Sequence, residues 1–204
     1  MHTPFFSSFL LCFLAFSSLL AQPAETSRSG TQPASPAFDK VYGPSGGWQR
    51  VVQDGIYGFL DLQGNMVVSF RFDHASDLQD GVALVGLNGR FGYLDSTGQM
   101  LTPLMYEQAW HFQEGLAMVR LNGKYGFINR AGEMVIPAIF DKARSASEGF
   151  VLLSRYNHWA FFTTEGAQLT PMIYQEAKPF FRGRAHVKEG DRWKYLDTNG
   201  RVVE

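Results

Sequence analysis

The chain has 204 residues, of which 45% are hydrophobic and 18% charged, and its 18 basic and 19 acidic side chains give a formal net charge of −1. This balance leaves no excess of basic residues, which argues against nucleic acid or an anionic membrane surface as a partner. The single cysteine excludes a disulfide framework within the chain.

Residues 1–21 predict a secretory signal peptide. An apolar run extends from Phe5 to Leu20 and is followed by Ala21, a small residue suited to signal-peptidase cleavage. The run is only slightly shorter than a membrane-spanning helix, so an uncleaved anchor is the alternative. Cleavage would leave an exported protein with no membrane insertion, located in the periplasm, at the outer envelope or outside the cell. It would also remove the only cysteine.

Two further regions follow the predicted signal peptide. Residues 22–37 are rich in Pro, Ser and Thr and contain no large apolar side chain, so we expect a disordered linker. Residues 38–204 are long enough to bury a core and form one domain.

Glycine recurs every 34 residues through this domain, in two series of five. A strict period indicates tandem copies of one small unit, in which neighbouring units complete each other's core. We expect five units, at about 38–71, 72–105, 106–139, 140–173 and 174–204. The two series are Gly64, Gly98, Gly132, Gly166 and Gly200, and Gly47, Gly81, Gly115, Gly149 and Gly183.

Turn signals separate short strand patterns within each unit. Asn88-Gly89 and its equivalents predict a type I′ hairpin turn, because both residue types tolerate positive φ. The segment Asp95–Gly98 and its equivalents begin with a short polar acceptor and end with glycine, which is typical of a type I turn. Between these turns lies an aromatic-Gly-aromatic strand such as Phe91-Gly92-Tyr93. Because both rings would lie on one strand face, we interpret their recurrence as core packing.

The pattern predicts an all-β fold of five tandem antiparallel β-meander repeats. Pro103, Pro137 and Pro171 are expected to end or bend the strand after the second turn. The recurrent Phe-Asp-x-Ala segment could supply a fourth strand to each unit. We favour a propeller-like ring, because closure removes exposed sheet edges. An open twisted stack of the same units is the alternative.

The segment from Gly115 to Ala143 contains Lys124-Tyr125-Gly126-Phe127 and ends in Phe-Asp-Lys-Ala. It resembles the WG-repeat family of bacterial proteins, also called KWG repeats. The similarity extends over residues 38–204. The Trp that usually precedes the family's namesake Gly is Tyr or Phe in units one to three, whereas Trp159 and Trp193 are not followed by Gly. The resemblance implies a noncatalytic binding or interaction module and transfers no active site.

No nucleophile elbow, phosphate-binding loop or metal-binding His pair occurs in the sequence, and we expect no catalytic residue, metal or cofactor. Residues that break the repeat are the candidates for ligand binding, because a grafted site disturbs the symmetry of its scaffold. A strand through the last unit would present four basic groups on one face, suited to an anionic ligand. In unit three, two residues replace polar ones and predict a loop with free aromatic surface. These candidates are Arg182, Arg184, His186 and Lys188, and Trp110 and His111.

Three functions are compatible with this sequence. The leading hypothesis is a noncatalytic secreted or envelope scaffold that binds a macromolecule, in the first place a protein. The alternative is a carbohydrate-binding module for cell-wall or extracellular glycans. The third is a propeller-type hydrolase, which would require unrepeated carboxylates such as Glu107 and Glu176 to converge.

Overall fold

The computed structural model describes residues 38–203, which form 19 β-strands in five antiparallel sheets and contain no helix. The predicted signal peptide and linker lie outside the described residues. Each sheet is built from consecutive strands of one unit. The all-β repeat architecture is therefore confirmed.

The sheets define five units. Unit one contains β1 (Lys40–Val41), β2 (Trp48–Gln53), β3 (Ile56–Asp61) and β4 (Met66–Phe72). Unit two contains β5 (His74–Ala75), β6 (Val82–Leu87), β7 (Arg90–Asp95) and β8 (Met100–Tyr106). Unit three contains β9 (Gln108–Ala109), β10 (Leu116–Leu121), β11 (Lys124–Asn129) and β12 (Met134–Phe140). Unit four contains β13 (Lys142–Ser147), β14 (Phe150–Arg155) and β15 (His158–Thr163). Unit five contains β16 (Glu176–Ala177), β17 (Ala185–Glu189), β18 (Arg192–Leu196) and β19 (Val202–Val203).

The described residues fit the open stack rather than the favoured ring. Strand β1 pairs with β2 inside its own unit, so it is not supplied to the last sheet as ring closure would require. Four hydrophobic clusters join units one and two, two and three, three and four, and four and five. A Cβ built on Gly98 would lie 3.0 Å from Val68 of the preceding unit, but one on the equivalent Gly64 meets nothing within 4 Å. Unit one therefore has no such neighbour at this turn.

The second glycine series forms a further hairpin turn that sequence reasoning did not recognise. In unit three the turn residues are Glu114 and Gly115, with φ of 51° and 83°, and Gln113 bridges Leu116 across them. Positive φ at both positions is the requirement of a type I′ turn, which explains why the second position is always glycine. Units one to four thus have two such hairpins before the type I turn, whereas in unit five only Gly190 of the Gly190-Asp191 pair has positive φ.

Side chains from the start of a unit cap the predicted hairpin. The amide of Asn88 donates to Asp73 Oδ2 over 2.7 Å, and the amide of Gly123 donates to Glu107 Oε2 over 3.0 Å. The same bond occurs in all five units, with Gln175 as the acceptor in the last. The recurrent acid after the aromatic residue is thus explained by turn capping.

Carboxylates also connect consecutive units. Both oxygens of Glu114 accept the amides of Glu148 and Gly149, over 2.9 and 2.8 Å. Glu148 in turn accepts the amides of Arg182 and Gly183, over 2.5 and 2.8 Å. The turns of units three, four and five are therefore linked in series by charge-assisted hydrogen bonds. The series ends at Arg182, whose side chain is a cation.

The namesake glycine makes room for a bulge in the fourth strand. Phe127 pairs with Ile136 and Tyr125 with Phe140, so residues 137–139 bulge opposite Gly126 alone. A Cβ at position 126 would lie 2.6 Å from the carbonyl oxygen of Ile136. In unit four Ala160 replaces this glycine, and the segment after the second turn makes only isolated bridges. The glycine therefore correlates with a complete fourth strand.

Of the two effects expected of the prolines, to end or to bend the strand, Pro103 and Pro137 show the second, because a bulge bends its strand. Pro103 lies within β8 and Pro137 within β12, each inside the bulge of the sheet's outer strand. An outer strand tolerates the missing amide donor there. Pro171 lies outside the described strands.

We predict that Gly126→Ala lowers the free energy of unfolding by about 1–3 kcal/mol, the usual cost of overpacking. Urea unfolding measures this change. Gly43→Ala is the matched control, because a Cβ there meets nothing within 4 Å and the backbone is not in the left-handed region. Equal stability of the two variants would contradict the bulge explanation.

We further predict acid destabilisation from the type I turns. In Asp95 the Thr97 side chain and nearby amides hold the pKa below its ordinary value, and Asn65 and the amide of Arg201 do so for Asp61 and Asp197. A carboxyl whose pKa is depressed in the folded state stabilises the fold at pH values above its ordinary pKa. This stabilisation is lost as the pH falls through the lower pKa of the folded state.

The triple substitution of these three aspartates by asparagine tests that prediction. Asparagine occupies the same position in unit three, where Asn129 accepts the amides of Ala131 and Glu133. The variant should retain the turns and lose part of the decline in Tm between about pH 4 and pH 2. An unchanged acid slope would show that other carboxyls dominate.

Candidate functional site

The two rings of the aromatic-Gly-aromatic motif have different environments. The second ring is buried against the next unit, and its exposed fraction is 0–1% in Phe59, Tyr93, Phe127 and Phe161. The first ring is only half-buried in units one to four, so it forms a row at the surface. The second rings are therefore core residues, whereas the first rings of units one to four pack against the same clusters but remain half-buried. The surface row consists of Tyr57, Phe91, Tyr125, Trp159 and Trp193.

Unit five presents an uncovered sheet face. Tyr195 is equivalent to the buried second rings but is 45% exposed, and Trp193 is 42% exposed. The ring of His186 lies between them, with its centroid 4.6 Å from Tyr195 and 4.4 Å from Trp193. In the described part of the chain no sixth sheet covers these rings.

The four predicted basic residues do not share one strand. Arg182 occupies the left-handed position of the hairpin turn, with φ of 52°, and β17 begins only at Ala185. The expectation of a continuous basic strand from residue 182 is therefore wrong, because the recurrent hairpin interrupts it. Lys188 lies 3.3 Å from Glu176, which partly compensates its charge.

Arg182, Arg184 and His186 nevertheless line one depression of about 400 Å³. Its other basic side chain is Lys178, and its lining contains no carboxylate. Phe181, 69% exposed, and Tyr195 supply aromatic surface beside these basic groups. We call the surface formed by this depression and the ring of Trp193 the end face.

Trp110 lies at a different place, between units three and four. Its ring is half-buried, and its centroid lies 6.0 Å from that of Tyr125. Its carbonyl oxygen accepts the hydroxyl of Tyr93 over 2.6 Å, and burial raises the pKa of that hydroxyl. The hydrogen bond from buried Tyr93 thus fixes the backbone of Trp110. The ring of Trp110 lines a cleft of about 430 Å³.

His111 does not join Trp110 in that cleft. It borders a separate depression of about 20 Å³ between Asp80 and Tyr93. This volume holds about one water molecule, so it does not suit a ligand. The structure therefore separates the two candidates of unit three, because adjacent residues of an extended segment point in opposite directions.

The carboxylates considered for hydrolysis have separate partners. Glu107 caps a hairpin of unit three and lies 3.8 Å from Arg120, while Glu176 pairs with Lys188 in unit five. Within residues 38–203, no group of three His, Cys, Asp or Glu side chains is arranged to hold a metal ion. The same residues include no helix long and apolar enough to cross a membrane.

Sequence reasoning missed several residues that line these surfaces. Phe181 replaces Ser or Gln of the other units, and Arg144 stands where unit three has Trp110. Both break the repeat, so the symmetry argument could have found them. Tyr125 and Trp159 follow the repeat, and only their partial exposure in the folded chain distinguishes them from core residues.

Comparison with known proteins gives a family but no function. Hsv2 from Kluyveromyces marxianus is 8% identical, with a TM-score of 0.43 over 78% of this chain and 60% of that chain. A eukaryotic initiation factor is 10% identical, with a TM-score of 0.47 over 80% and 53%. The extracellular domain of a one-component system from B. thetaiotaomicron is 11% identical, with a TM-score of 0.39 over 82% and 29%. This chain therefore spans 60% or less of each of these proteins.

A comparison with curated proteins found no match. The family model of the WG containing repeat matches four segments, at residues 57–91, 91–125, 125–154 and 159–193. These segments cover more than half of the sequence and fall on the repeated sheets described above. The chain belongs to the WG-repeat family.

Proposed function

We propose that this chain is an exported, noncatalytic binding scaffold that holds an acidic segment of a partner protein on its end face. The observation that carries the proposal is the exposure of Tyr195. Its equivalents in the other four units are 0–1% exposed, but Tyr195 is 45% exposed. A residue type used for packing between the other units is thus exposed in the last described unit.

Aromatic side chains supply the apolar part of this proposed contact. Phe181 and Trp193 are 69% and 42% exposed, and no other sheet among residues 38–203 covers them. Aromatic residues and arginine dominate the energetics of protein interfaces, because they bury large rigid surfaces. The end face combines these residue types on one surface.

The charges determine the class of partner. Four basic side chains and no carboxylate line the depression, so a segment with Asp or Glu would find unpaired cations there. Such complementarity raises the association rate and weakens at high salt. A noncatalytic role is supported by the engagement of Glu107 and Glu176 in separate scaffold contacts.

We expect cleavage after Ala21 when the full chain is produced with an export pathway, giving a mature protein that begins at Gln22. The physical basis is the apolar run followed by a small residue. Intact-mass measurement of the exported protein tests this. Ala21→Leu should block cleavage at this site. If the unmodified chain keeps Met1 and is recovered in the membrane fraction, that result would favour the anchor alternative.

Charge reversal tests the partner surface. We predict that Lys178→Glu with Arg184→Glu weakens binding of a synthetic Asp- and Glu-rich peptide by about tenfold, because it removes two exposed cations of the end face. Fluorescence anisotropy at low and moderate salt measures the affinity. Binding by the unmodified chain should weaken as salt rises.

The control is Lys40→Glu with Arg71→Glu, an equal change of net charge at two exposed residues of unit one. It should leave peptide binding almost unchanged. Equal loss in both double variants would indicate attraction to net charge alone, and no loss in either would remove the end face from consideration.

A further inference from the structure

Two clefts of similar size lie between consecutive units. The 3–4 cleft, between units three and four, has a volume of about 430 Å³, and the 2–3 cleft, between units two and three, has about 390 Å³. Six positions of the repeat line both clefts. The pairs, each 34 residues apart, are Leu84 and Met118, Phe91 and Tyr125, Glu107 and Asp141, Gln108 and Lys142, Ala109 and Ala143, and Trp110 and Arg144.

Trp110 lines both clefts and forms the wall between them. The half-exposed rings of Phe91 and Tyr125 occupy equivalent positions on the two sides. Packed sheets lie about 10 Å apart, so the two clefts are separated by more than the width of one small ring. A ligand that fills both must therefore be an extended molecule that passes Trp110.

The series of clefts does not continue in the same form between units one and two. There Arg50 stands in the position of Leu84 and Met118, and its guanidinium lies 3.9 Å from the ring centroid of Tyr42. It also pairs with Asp77 over 3.2 Å. Arg50 therefore occupies the corresponding space between units one and two, and the two clefts described above form the pair.

The two clefts differ in charge. In the 3–4 cleft, Lys124 donates to Asp141 over 2.5 Å, and this contact holds the pKa of Asp141 below its ordinary value. Lys142 and Arg144 are exposed and have no ion pair among the described residues. The 3–4 cleft thus presents two uncompensated cations beside the rings of Trp110, Tyr125 and Trp159.

The 2–3 cleft has no such excess. Gln108 and Trp110 stand where the other cleft has Lys142 and Arg144. Its carboxylate, Glu107, lies 3.9 Å from Arg90 and 3.8 Å from Arg120. The lining of this cleft contains no Lys or Arg, and the two guanidiniums that flank it share the one carboxylate of Glu107.

We propose that the two clefts form adjacent subsites for an acidic oligosaccharide, with a carboxylate-bearing sugar in the 3–4 cleft. Sugar rings have an apolar face that stacks on aromatic rings and hydroxyls that bind polar side chains. Arg144 and Lys142 would bind the carboxylate by charge-assisted hydrogen bonds. This site is separate from the end face and does not depend on the proposed protein partner.

Oligogalacturonates of increasing length and their carboxyl-reduced counterparts test this site, with the mature chain and isothermal titration calorimetry. Affinity for the acidic series should rise with length until the ligand spans both clefts. Trp110 and Trp159 line the 3–4 cleft, so tryptophan fluorescence should change on binding. Binding that is independent of length, or no heat and no fluorescence change, would overturn the proposal.

Arg144→Gln should weaken binding of the acidic ligand by about tenfold and leave the reduced ligand unaffected, because only the charge pair is lost. Arg192→Gln is the matched control, an exposed arginine of unit five outside the clefts. Trp110→Ala should weaken both ligands, and thermal unfolding checks its fold. Equal affinity of the unmodified chain and Arg144→Gln for the acidic series would overturn the assignment.

Lys178→Glu with Arg184→Glu separates this site from the end face. The double variant should lose the acidic peptide and retain the oligosaccharide. If it loses the oligosaccharide as well, glycan binding occurs at the end face and the cleft proposal fails. If the acidic peptide competes with the oligosaccharide for the unmodified chain, the clefts bind protein instead, which also contradicts the proposal.

Discussion

The burial of one sheet face by the next sheet is the constraint on which this structure depends. A small meander has two faces and too few residues to cover both, so each unit completes the core of its neighbour. Phe127 shows this dependence, because the ring is 1% exposed inside a cluster shared by units three and four. The carboxylates of Glu114 and Glu148 add directional contacts between the hairpins of consecutive units.

An open stack leaves this constraint unsatisfied at its ends. In unit five, Arg184 and His186 replace Phe150 and Leu152 of unit four. In unit four, Phe150 and Leu152 pack against unit five. Tyr195 keeps the aromatic character of the repeat at the equivalent face of unit five. The end face thus combines unrepeated basic groups with a repeated aromatic ring.

Repetition also explains why the clefts occur as a pair. Each arises where the half-exposed first ring of one unit meets the first strand of the next, so equivalent residues line both. Among these paired positions, the charge changes only where Lys142 replaces Gln108 and Arg144 replaces Trp110. A repeat scaffold can vary the charge of adjacent subsites without changing the strands that hold them.

The sequence by itself determined the strands, the turns and the number of units, because a 34-residue period and positive-φ residues such as Asn88-Gly89 are local requirements. It did not distinguish Tyr125 from Phe127, since both rings recur with the same spacing and only one lies at the surface. It also placed Arg182 in a strand, because the second glycine series was not recognised as a hairpin. Only the tertiary structure decided between ring and stack. That choice depends on how successive sheets contact, and contacts between distant units leave no periodic signal in the chain.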